Sequence, residues 1–377
     1  MVKRTDRINN YWVFYWVFAA VLLGVGSIAA AEPDLSVPPG FHIEQIATVP
    51  NARAMTWGDE ATLFVSSRRL GTVHAISDVL GGDPVVRVID NELRIPNGVA
   101  FSNGDLYVAE INRILVYRNI EQRLDDPGDP EVVVDNLPGD KLHSWKYIAF
   151  GPDGKLYISI GSPCNICDAP DYGLIMRINA DGSEQEVYAR GIRNSVGFDW
   201  HPVTGAFWFT DNNRDMLGDD EPPGELNQAM EAGLHFGFPF CHGADMVEPE
   251  AEFAALGRCA DAQPPAMELG PHVAPLGVAF YTGIMFPEAY QNQLFIAEHG
   301  SWNRSDKIGY RVSLVRLDKA GRKALSYETF AEGWLHDGKV SGRPVDVLVA
   351  PDGSLLVSDD KRGAIYRISY AGSPETE

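Results

Sequence analysis

A turn followed by a short run of aliphatic and aromatic residues recurs along the chain. The six runs, several of which end in a small or acidic residue, are Leu63–Val65, Leu106–Glu110, Lys155–Ile160, Phe207–Asp211, Leu294–Glu298 and Leu355–Asp359. The first four lie about 43 to 51 residues apart, close to the period of roughly 40 to 50 residues of a four-stranded propeller blade. Helical periodicity is scarce. The pattern therefore predicts an all-β fold, a six-bladed β-propeller.

The last two runs are spaced more widely, by about 87 and 61 residues, so blades four and five should carry long loop insertions. We expect residues 32–377 to form a single propeller domain. Its last strand, Ala364–Ser369, should close the ring against the first blade. Two sandwich domains are the alternative, but they would not explain a unit repeated in this way.

The N-terminus has the three parts of an export signal. Lys3, Arg4 and Arg7 form a basic start, residues 11–26 carry no charge, and three alanines end at Ala31. This order predicts a signal peptide over residues 1–31, cleaved after Ala31. An uncleaved anchor is the alternative, since the apolar run nearly reaches the length that spans a bilayer. Either way, the propeller should be periplasmic or secreted.

Composition narrows the list of partners. Hydrophobic residues make up 45% of the chain and charged residues 22%, as in globular proteins. The net charge of −21 argues against nucleic acid and against an anionic membrane surface as partners. Contact with a membrane is expected only through an uncleaved N-terminus.

Four cysteines fit an oxidising compartment. Proximity favours the pairs Cys164–Cys167 and Cys241–Cys259, although four cysteines allow three connectivities. The Cys164–Cys167 spacing also suggests c-type haem or a redox site. A haem site needs histidine where Asp168 stands, and a thioredoxin-like site needs a βαβ context, so a loop staple is favoured.

Two positions before predicted blades could carry chemistry. His143 precedes the third blade, and a neutral imidazole facing the channel could act as a general base, although a lone histidine is more often structural. Arg193 and Asn194 precede the fourth. An arginine facing the channel indicates an anionic ligand or a buried carboxylate, and an inter-blade salt bridge is the alternative.

Further charged residues cluster in the two insertions. Residues 211–227 hold six carboxylates among Asn and Gly, which suits Ca²⁺ or simply a solvated loop. His299, Arg304 and Lys307 follow the fifth repeated run, and Arg343 precedes the sixth. In an acidic chain, such placement indicates a binding site for a polyanion.

Several motifs together resemble the soluble quinoprotein sugar dehydrogenases, which use pyrroloquinoline quinone, and in particular their sorbosone-dehydrogenase-like branch. The resemblance covers nearly all of the chain after the signal. Its motifs are His143 shortly before Gly151–Gly154, Gly191–Asn194, Gly224–Asn227, Gly237–Pro239 and Phe295–Arg304. The resemblance implies a six-bladed propeller that oxidises a sugar, an aldose or a related polyol, with a separate cytochrome or quinone as electron acceptor.

The resemblance also implies roles for individual residues. His143 would be the general base, and Arg193 with Asn194 would contact the quinone oxygens. Backbone carbonyls of Asn213 and Arg214 would bind a Ca²⁺ ion that polarises the quinone. The three carboxylates of the cofactor would be bound by a last group of residues: His299, Arg304, Lys307 and Arg343.

Two positions depart from the family pattern. Ser162 stands where glucose-oxidising members have the aspartate that orients the catalytic histidine, and Val345 replaces a second basic residue near Arg343. These departures leave open the hypothesis of a propeller that only binds a ligand or partner. A calcium-dependent lactonase on the same scaffold is a third hypothesis, although it would need carboxylates and Asn around Ca²⁺ in the channel rather than a ring of Arg and His.

Overall fold

The computed structural model of the protein describes residues 34–140 and 142–372. The predicted signal segment, residues 1–31, lies outside this range. Within it, no helix is long and apolar enough to cross a membrane. The described chain is built almost entirely from short antiparallel strands, which confirms the all-β prediction.

The strands form six sheets arranged as propeller blades, numbered here in chain order after a first strand, β1 (Phe41–Thr48). Blade one contains β2 (Ala52–Trp57), β3 (Leu63–Ser67), β4 (Thr72–Ser77) and β5 (Val85–Asp90). Blade two contains β6 (Gly98–Ser102), β7 (Asp105–Ala109), β8 (Ile114–Tyr117) and β9 (Glu131–Val134). Blade three contains β10 (Ile148–Phe150), β11 (Leu156–Ile160), β12 (Leu174–Ile178) and β13 (Glu186–Arg190).

Blade four contains β14 (Phe198–Trp200), β15 (Phe207–Asp211), β16 (Pro223–Ala229) and, after an insertion with β17 (Leu234–His235), β18 (Cys241–His242) and β19 (Met246–Val247), the strand β20 (Met267–Pro271). Blade five contains β21 (Pro275–Phe280), β22 (Leu294–Glu298), β23 (Arg311–Leu317) and β24 (Ala324–Ala331). A hairpin of β25 (Leu335–His336) and β26 (Lys339–Val340) then leads to blade six, with β27 (Pro344–Val349), β28 (Leu355–Asp359) and β29 (Ala364–Tyr370).

Within residues 34–140 and 142–372, helical structure is limited to single turns. The α-helix α1 spans Ala251–Ala254, and 3₁₀ turns span Ile120–Arg123, Cys259–Asp261 and Glu288–Tyr290.

The six repeated runs of the sequence are the second strands of the six blades. Five of them, β3, β11, β15, β22 and β28, are buried at every position, and β7 at all but its first. A blade between two neighbours is covered on both faces, so these strands read as continuous apolar runs rather than as alternating ones. Each pair of neighbouring blades encloses one hydrophobic cluster of the described core.

The ring closes differently from the expectation for the last strand. β29 pairs with β1, not with the first blade, so that Phe41 lies opposite Tyr370 and Thr48 opposite Ala364. The N-terminal strand is therefore the outermost strand of blade six. Phe41 packs into this seam. Its ring centroid lies 4.7 Å from that of Phe286 and 5.1 Å from that of Phe330, both of which belong to blade five.

The predicted insertions are present. The insertion of blade four, residues 230–266, leaves its own sheet, and its β17 pairs in parallel with β13 of blade three. The structure also contains both expected disulfides, Cys164–Cys167 and Cys241–Cys259.

Candidate active site

The antiparallel blades bring two segments of each repeat to the same end of the ring. The first strand of a blade starts where its second strand ends. The first strands also lie side by side around the channel, with β2 beside β6 and β27, and β21 beside β14 and β27. A cavity of about 350 Å³ lies at this end, lined mostly by residues before or at the start of first strands and by residues after second strands. Its volume suits a small-molecule ligand.

His143 lies in the cavity wall in front of β10 and is almost fully buried. Its Nδ1 is 2.8 Å from the carbonyl oxygen of Ser162. A carbonyl can only accept, so Nδ1 carries the hydrogen and the neutral ring has its lone pair at Nε2. Burial, together with the positive charge of Arg193, lowers the pKa of His143 to about 3. The imidazole is therefore neutral at any physiological pH.

The backbone around His143 is specialised. His143 has φ 49°, a left-handed conformation that is uncommon for a residue other than glycine. Gly161 makes the close approach of this segment possible, because a Cβ there would lie 2.6 Å from the Cβ of His143 and 2.9 Å from Oδ1 of Asn194. Unusual conformations of this kind often accompany functional sites.

Ser162 contributes its carbonyl, and not its hydroxyl, to the orientation of His143. The hydroxyl lies instead 3.1 Å from Sγ of Cys164. The backbone amide of Ser162 also donates to the carbonyl of Arg193 at 2.7 Å. Ser162, which stands at the position of the family's orienting aspartate, therefore orients the ring through its backbone carbonyl and not through its side chain.

Arg193 lines the cavity beside His143 and is only 3% exposed. Its Nε donates to the carbonyl of Asn165 and its Nη1 to the carbonyl of Asn212, each at 2.9 Å. Its Nη2 donates to Oδ1 of Asn165 at 2.9 Å and to Asp215 at 3.1 Å. Because the guanidinium is planar, these four hydrogen bonds fix it in one orientation.

Asn194 shares the support of Arg193. Asp211 accepts hydrogen bonds from the backbone amides of both residues, at 2.6 Å and 2.9 Å. Oδ1 of Asn194 is buried and has no hydrogen-bond partner within the described chain. A buried polar atom without a partner at a cavity wall indicates a position where a ligand can bind.

The opposite side of the cavity carries a group of four arginines, here called the cationic cluster: Arg53, Arg68, Arg69 and Arg343. Arg68 lies over the ring of Trp145, 4.4 Å from its centroid. Burial and the charge of nearby Arg53 lower the pKa of Arg68 to about 9. Its charge is therefore incompletely compensated, and an anion in the cavity would stabilise it.

His299 and Asp360 lie at the base of the cationic cluster. Asp360 is bound by Nη1 of Arg53 at 3.0 Å and by Nε2 of His299 at 2.9 Å. Burial, which Asp360 opposes, lowers the pKa of His299 to about 4, so the neutral ring donates Nε2–H to the carboxylate. Nε and Nη2 of Arg343 donate to the carbonyls of His299 and Gly300, each at 2.9 Å.

Two of the residues expected to bind the cofactor do not lie in the cavity wall. The guanidinium of Arg304 binds the carbonyl of Asp219 and the carboxylate of Asp220 in the blade-four loop. Nζ of Lys307 donates to the carbonyl of Gly338 at 2.7 Å, on the exposed surface. Both cations are committed to neighbouring loops, so the structure brings His299 and Arg343 to the cavity but not Arg304 or Lys307.

The predicted calcium ligands differ in their surroundings. Asn213 lines the cavity, and its side chain is bound by Glu225 at 2.7 Å and by Nδ1 of His242 at 3.2 Å. Arg214 is buried behind it, with its guanidinium against Glu248 and Glu250. No group of three or more His, Cys, Asp or Glu side chains in the described residues could hold a metal ion. Ligation by the two backbone carbonyls stays a prediction.

Val345, the second departure in the sequence, is buried below the cavity. It packs against Val196, Leu276 and Trp145. The cavity wall has other positive charges in place of the missing basic residue, namely Arg53, Arg68 and Arg69, which sequence reasoning did not identify. Arg68 and Arg69 directly follow β3, where they read as an ordinary exposed turn. The signal that could have found them is their position at the same point of the repeat as His299 in blade five.

The fold places the chain among the six-bladed propellers, and its cavity at the channel mouth is rich in arginine. A family model described as TrAA12-like matches residues 35–371, and the chain belongs to this family. An uncharacterized protein of Borreliella burgdorferi is 35% identical over 383 residues, which cover 97% of this chain and 99% of that protein.

Solved structures share the fold. The holo form of the pyranose dehydrogenase PQQ domain from Coprinopsis cinerea has a TM-score of 0.75 at 19% identity, over 90% of this chain and 98% of that one. The calcium structure of Trichoderma reesei carbohydrate-active enzymes family AA12 has a TM-score of 0.73 at 20% identity, over 92% and 99%. The expected resemblance to quinoprotein sugar dehydrogenases and the six-bladed propeller are both confirmed.

Proposed function

We propose that this protein is an exported quinoprotein dehydrogenase that binds pyrroloquinoline quinone at the channel mouth and oxidises a hydroxyl group of a sugar, an aldose or a related polyol. The observation that carries the proposal is one cavity that combines a neutral histidine, whose Nε2 is free to accept a proton, with five arginines. Membership of the TrAA12-like family and the pyranose dehydrogenase among the structural neighbours support it.

The charges of the cavity fit a polyanion. Its wall contains Arg193 and the four arginines of the cationic cluster, against Asp215 as the carboxylate in the lining. The chain as a whole carries a net charge of −21, so the positive charge in the cavity has the opposite sign to the net charge of the chain. Arginine forks bind carboxylates in a bidentate manner. The cationic cluster, and Arg343 in particular, would bind the carboxylates of the cofactor. His299 lies beside these arginines.

The bound quinone would supply the acceptor for a hydride. Arg193 would stabilise the negative charge that develops on the acceptor, because its guanidinium is already fixed and needs no reorganisation. Asn194 lies next to it, and its unpaired Oδ1 offers a further contact. These residues fit the cofactor by charge and by hydrogen-bonding capacity.

His143 would take the proton of the substrate hydroxyl at Nε2. The hydrogen bond from Nδ1 to the Ser162 carbonyl keeps the ring in the correct tautomer. A pKa of about 3 makes His143 a weak base, but one that is never lost to protonation at neutral pH. The carbonyl of Ser162 also stabilises the positive charge that the ring gains during proton transfer.

Calcium, location and electron transfer are further parts of the proposal. A Ca²⁺ ion held by the carbonyls of Asn213 and Arg214 would act as a Lewis acid. Export to the periplasm or beyond is supported by the predicted signal over residues 1–31 and by the two disulfides. Since the sequence has no haem attachment motif, electrons would leave to a separate carrier.

The test is reconstitution. Purified protein would be titrated with pyrroloquinoline quinone and Ca²⁺, monitored by absorbance, and then assayed with an artificial electron acceptor on a panel of sugars. We expect saturable binding and turnover of at least one sugar. Absence of any spectral change on addition of the quinone would refute the proposal.

Two variants separate binding from chemistry. His143→Ala should abolish turnover while cofactor binding is retained, whereas Arg68→Ala should weaken cofactor binding. His42→Ala, on the exposed face of β1, is the matched histidine control. Loss of binding in His143→Ala would make this residue a cofactor ligand and would contradict its assignment as the base.

A further inference from the structure

We propose that Asn165, held in the small ring closed by the Cys164–Cys167 disulfide, is a positioning residue that fixes Arg193 and the loop after β15 for catalysis. The inference deepens the proposed function and rests on it. Asn165 does not line the cavity, and it acts through Arg193 rather than on substrate.

Asn165 joins two segments that meet at the cavity. Its Oδ1 accepts hydrogen bonds from Nη2 of Arg193 at 2.9 Å and from the backbone amide of Asp215 at 2.8 Å. Its Nδ2 donates to the carbonyl of Asp215 at 3.0 Å. Its own carbonyl accepts from Nε of Arg193 at 2.9 Å. One residue therefore uses both acceptor positions of its side-chain oxygen and one N–H of its amide to hold Arg193 against the loop after β15.

The disulfide explains how a loop residue can do this. Residues 163–168 form no regular structure, and within the described chain their amides make no hydrogen bond to a backbone carbonyl. A segment without such bonds would ordinarily be mobile. The Cys164–Cys167 bond closes it into a four-residue ring, with Asn165 inside. The ring begins two residues after Ser162, whose carbonyl orients His143.

The same short segment thus supports both proposed catalytic groups from blade three. Arg193 has five N–H donors, and the structure shows four hydrogen bonds to acceptors in the described chain. One Nη1 hydrogen is left for a ligand. Loss of the Asn165 side chain would remove one of the four and free the guanidinium to turn toward Asp215, so that this last donor would no longer be fixed.

The expected signature is a change in turnover with little change in substrate affinity. Residues that orient metal ligands typically change activity about 10- to 100-fold. Because Asn165 is outside the cavity wall, we expect Asn165→Ala to lower kcat by the lower end of that range, about tenfold. The KM for the sugar should stay the same. The Cys164→Ser/Cys167→Ser double variant should lower kcat in the same direction, since it releases the ring.

Asn165→Asp tests the acceptor itself. It keeps Oδ1 as the acceptor for Arg193 and for the amide of Asp215, and its charge strengthens the bond to Arg193, but it turns the donor to the Asp215 carbonyl into an acceptor that repels this carbonyl. Its kcat should therefore lie above that of Asn165→Ala and below that of the wild type. Asn179→Ala is the matched control. Its Nδ2 donates to Oγ of Ser183 in an exposed hairpin of blade three, 2.9 Å away, and kcat should be unchanged.

Hydrogen exchange gives a readout that does not depend on activity. In a peptide covering residues 212–216, the amide of Asp215 should lose its protection in Asn165→Ala. The amide of Asn212, bound to the carbonyl of Asn194 at 3.2 Å, should keep its protection. Melting of the apoprotein would show whether any variant has lost its fold.

The outcomes are distinct. A faster-exchanging Asp215 amide with reduced kcat and unchanged KM supports the positioning role. Wild-type kcat in Asn165→Ala, or equal losses in the Ala and Asp variants, overturns it while the proposed function stands. Absence of cofactor binding and turnover in the wild-type protein refutes the proposed function and the positioning role with it.

Discussion

Asp360 is the carboxylate on which the cationic cluster depends, and its removal should destabilise the apoprotein strongly. It is 7% exposed and contacts Arg53, 2% exposed, at 3.0 Å. At that distance the attraction between unit charges is about 5 kcal/mol for an effective dielectric constant of about 20. Asp360→Asn removes this attraction but keeps one oxygen as an acceptor for Arg53 or His299. Breaking a buried pair costs about 3–5 kcal/mol, and we expect the lower end, about 3 kcal/mol.

The assay is urea unfolding of the apoprotein, with Asp125→Asn as the control. Asp125 pairs with Arg87 in a bridge whose side chains are 89% and 33% exposed, so its loss should cost less than about 1 kcal/mol. If the two variants unfold at the same urea concentration, the structural reasoning about Asp360 is wrong.

The pH dependence gives the sign of the effect. Burial opposes ionisation of Asp360, but His299 and Arg53 outweigh it and hold the pKa of the carboxyl well below its ordinary value of 3.8. A carboxyl with a depressed pKa contributes its stability above the unfolded value and loses it as the pH falls toward the folded value. The difference between wild type and Asp360→Asn should therefore be full at pH 7 and shrink only below about pH 4.

Two further predictions concern the base and the ring seam. The imidazole resonance of His143 can be assigned because it is absent from the spectrum of His143→Gln. In the wild-type apoprotein this resonance should not titrate between pH 8 and pH 5, since burial and Arg193 lower the pKa of His143 to about 3; a midpoint near the ordinary value of 6.5 would contradict this. Phe41→Ala should cost about 2 kcal/mol in urea unfolding, because a half-buried aromatic ring is lost from the seam of blade six, whereas Val203→Ala, at a position 75% exposed, should leave the urea midpoint unchanged.

The scaffold could be predicted from the sequence because one physical requirement is repeated six times. Each second strand is enclosed by two neighbouring blades, and only a continuous apolar run satisfies that burial. Closure of the ring was harder to predict. The residues of β1, such as Phe41 and Ile43, alternate with exposed ones and carry no repeated turn, so nothing local marks the N-terminal strand as the partner of β29.

The site could be predicted only in part, because charge at a loop does not say where its partner is. Arg304 and Lys307 stand in a basic stretch, yet the acidic loop of blade four and the carbonyl of Gly338 lie nearer to them than the cavity does. Arg68 looks like a surface residue in the sequence, but it is drawn inward over Trp145. Asn165 could not be identified from the sequence, since its role depends on contacts with residues far along the chain.

The polar contacts at the channel mouth connect every blade to the next. Each of the six boundaries is crossed by a hydrogen bond from a side chain: Arg53 to Asp360, Arg53 to Asn97, Asn97 to Lys146, Arg193 to Asn165, Asn212 to Pro275, and Arg343 to His299. Nearly all of these residues line the cavity or touch one that does. The propeller core supplies the stability of the ring, and this circle of contacts sets how the blades meet at the mouth. A change at one boundary therefore alters the cavity as well as the packing, and the positions of His143 and Arg193 depend on the closure of the whole ring.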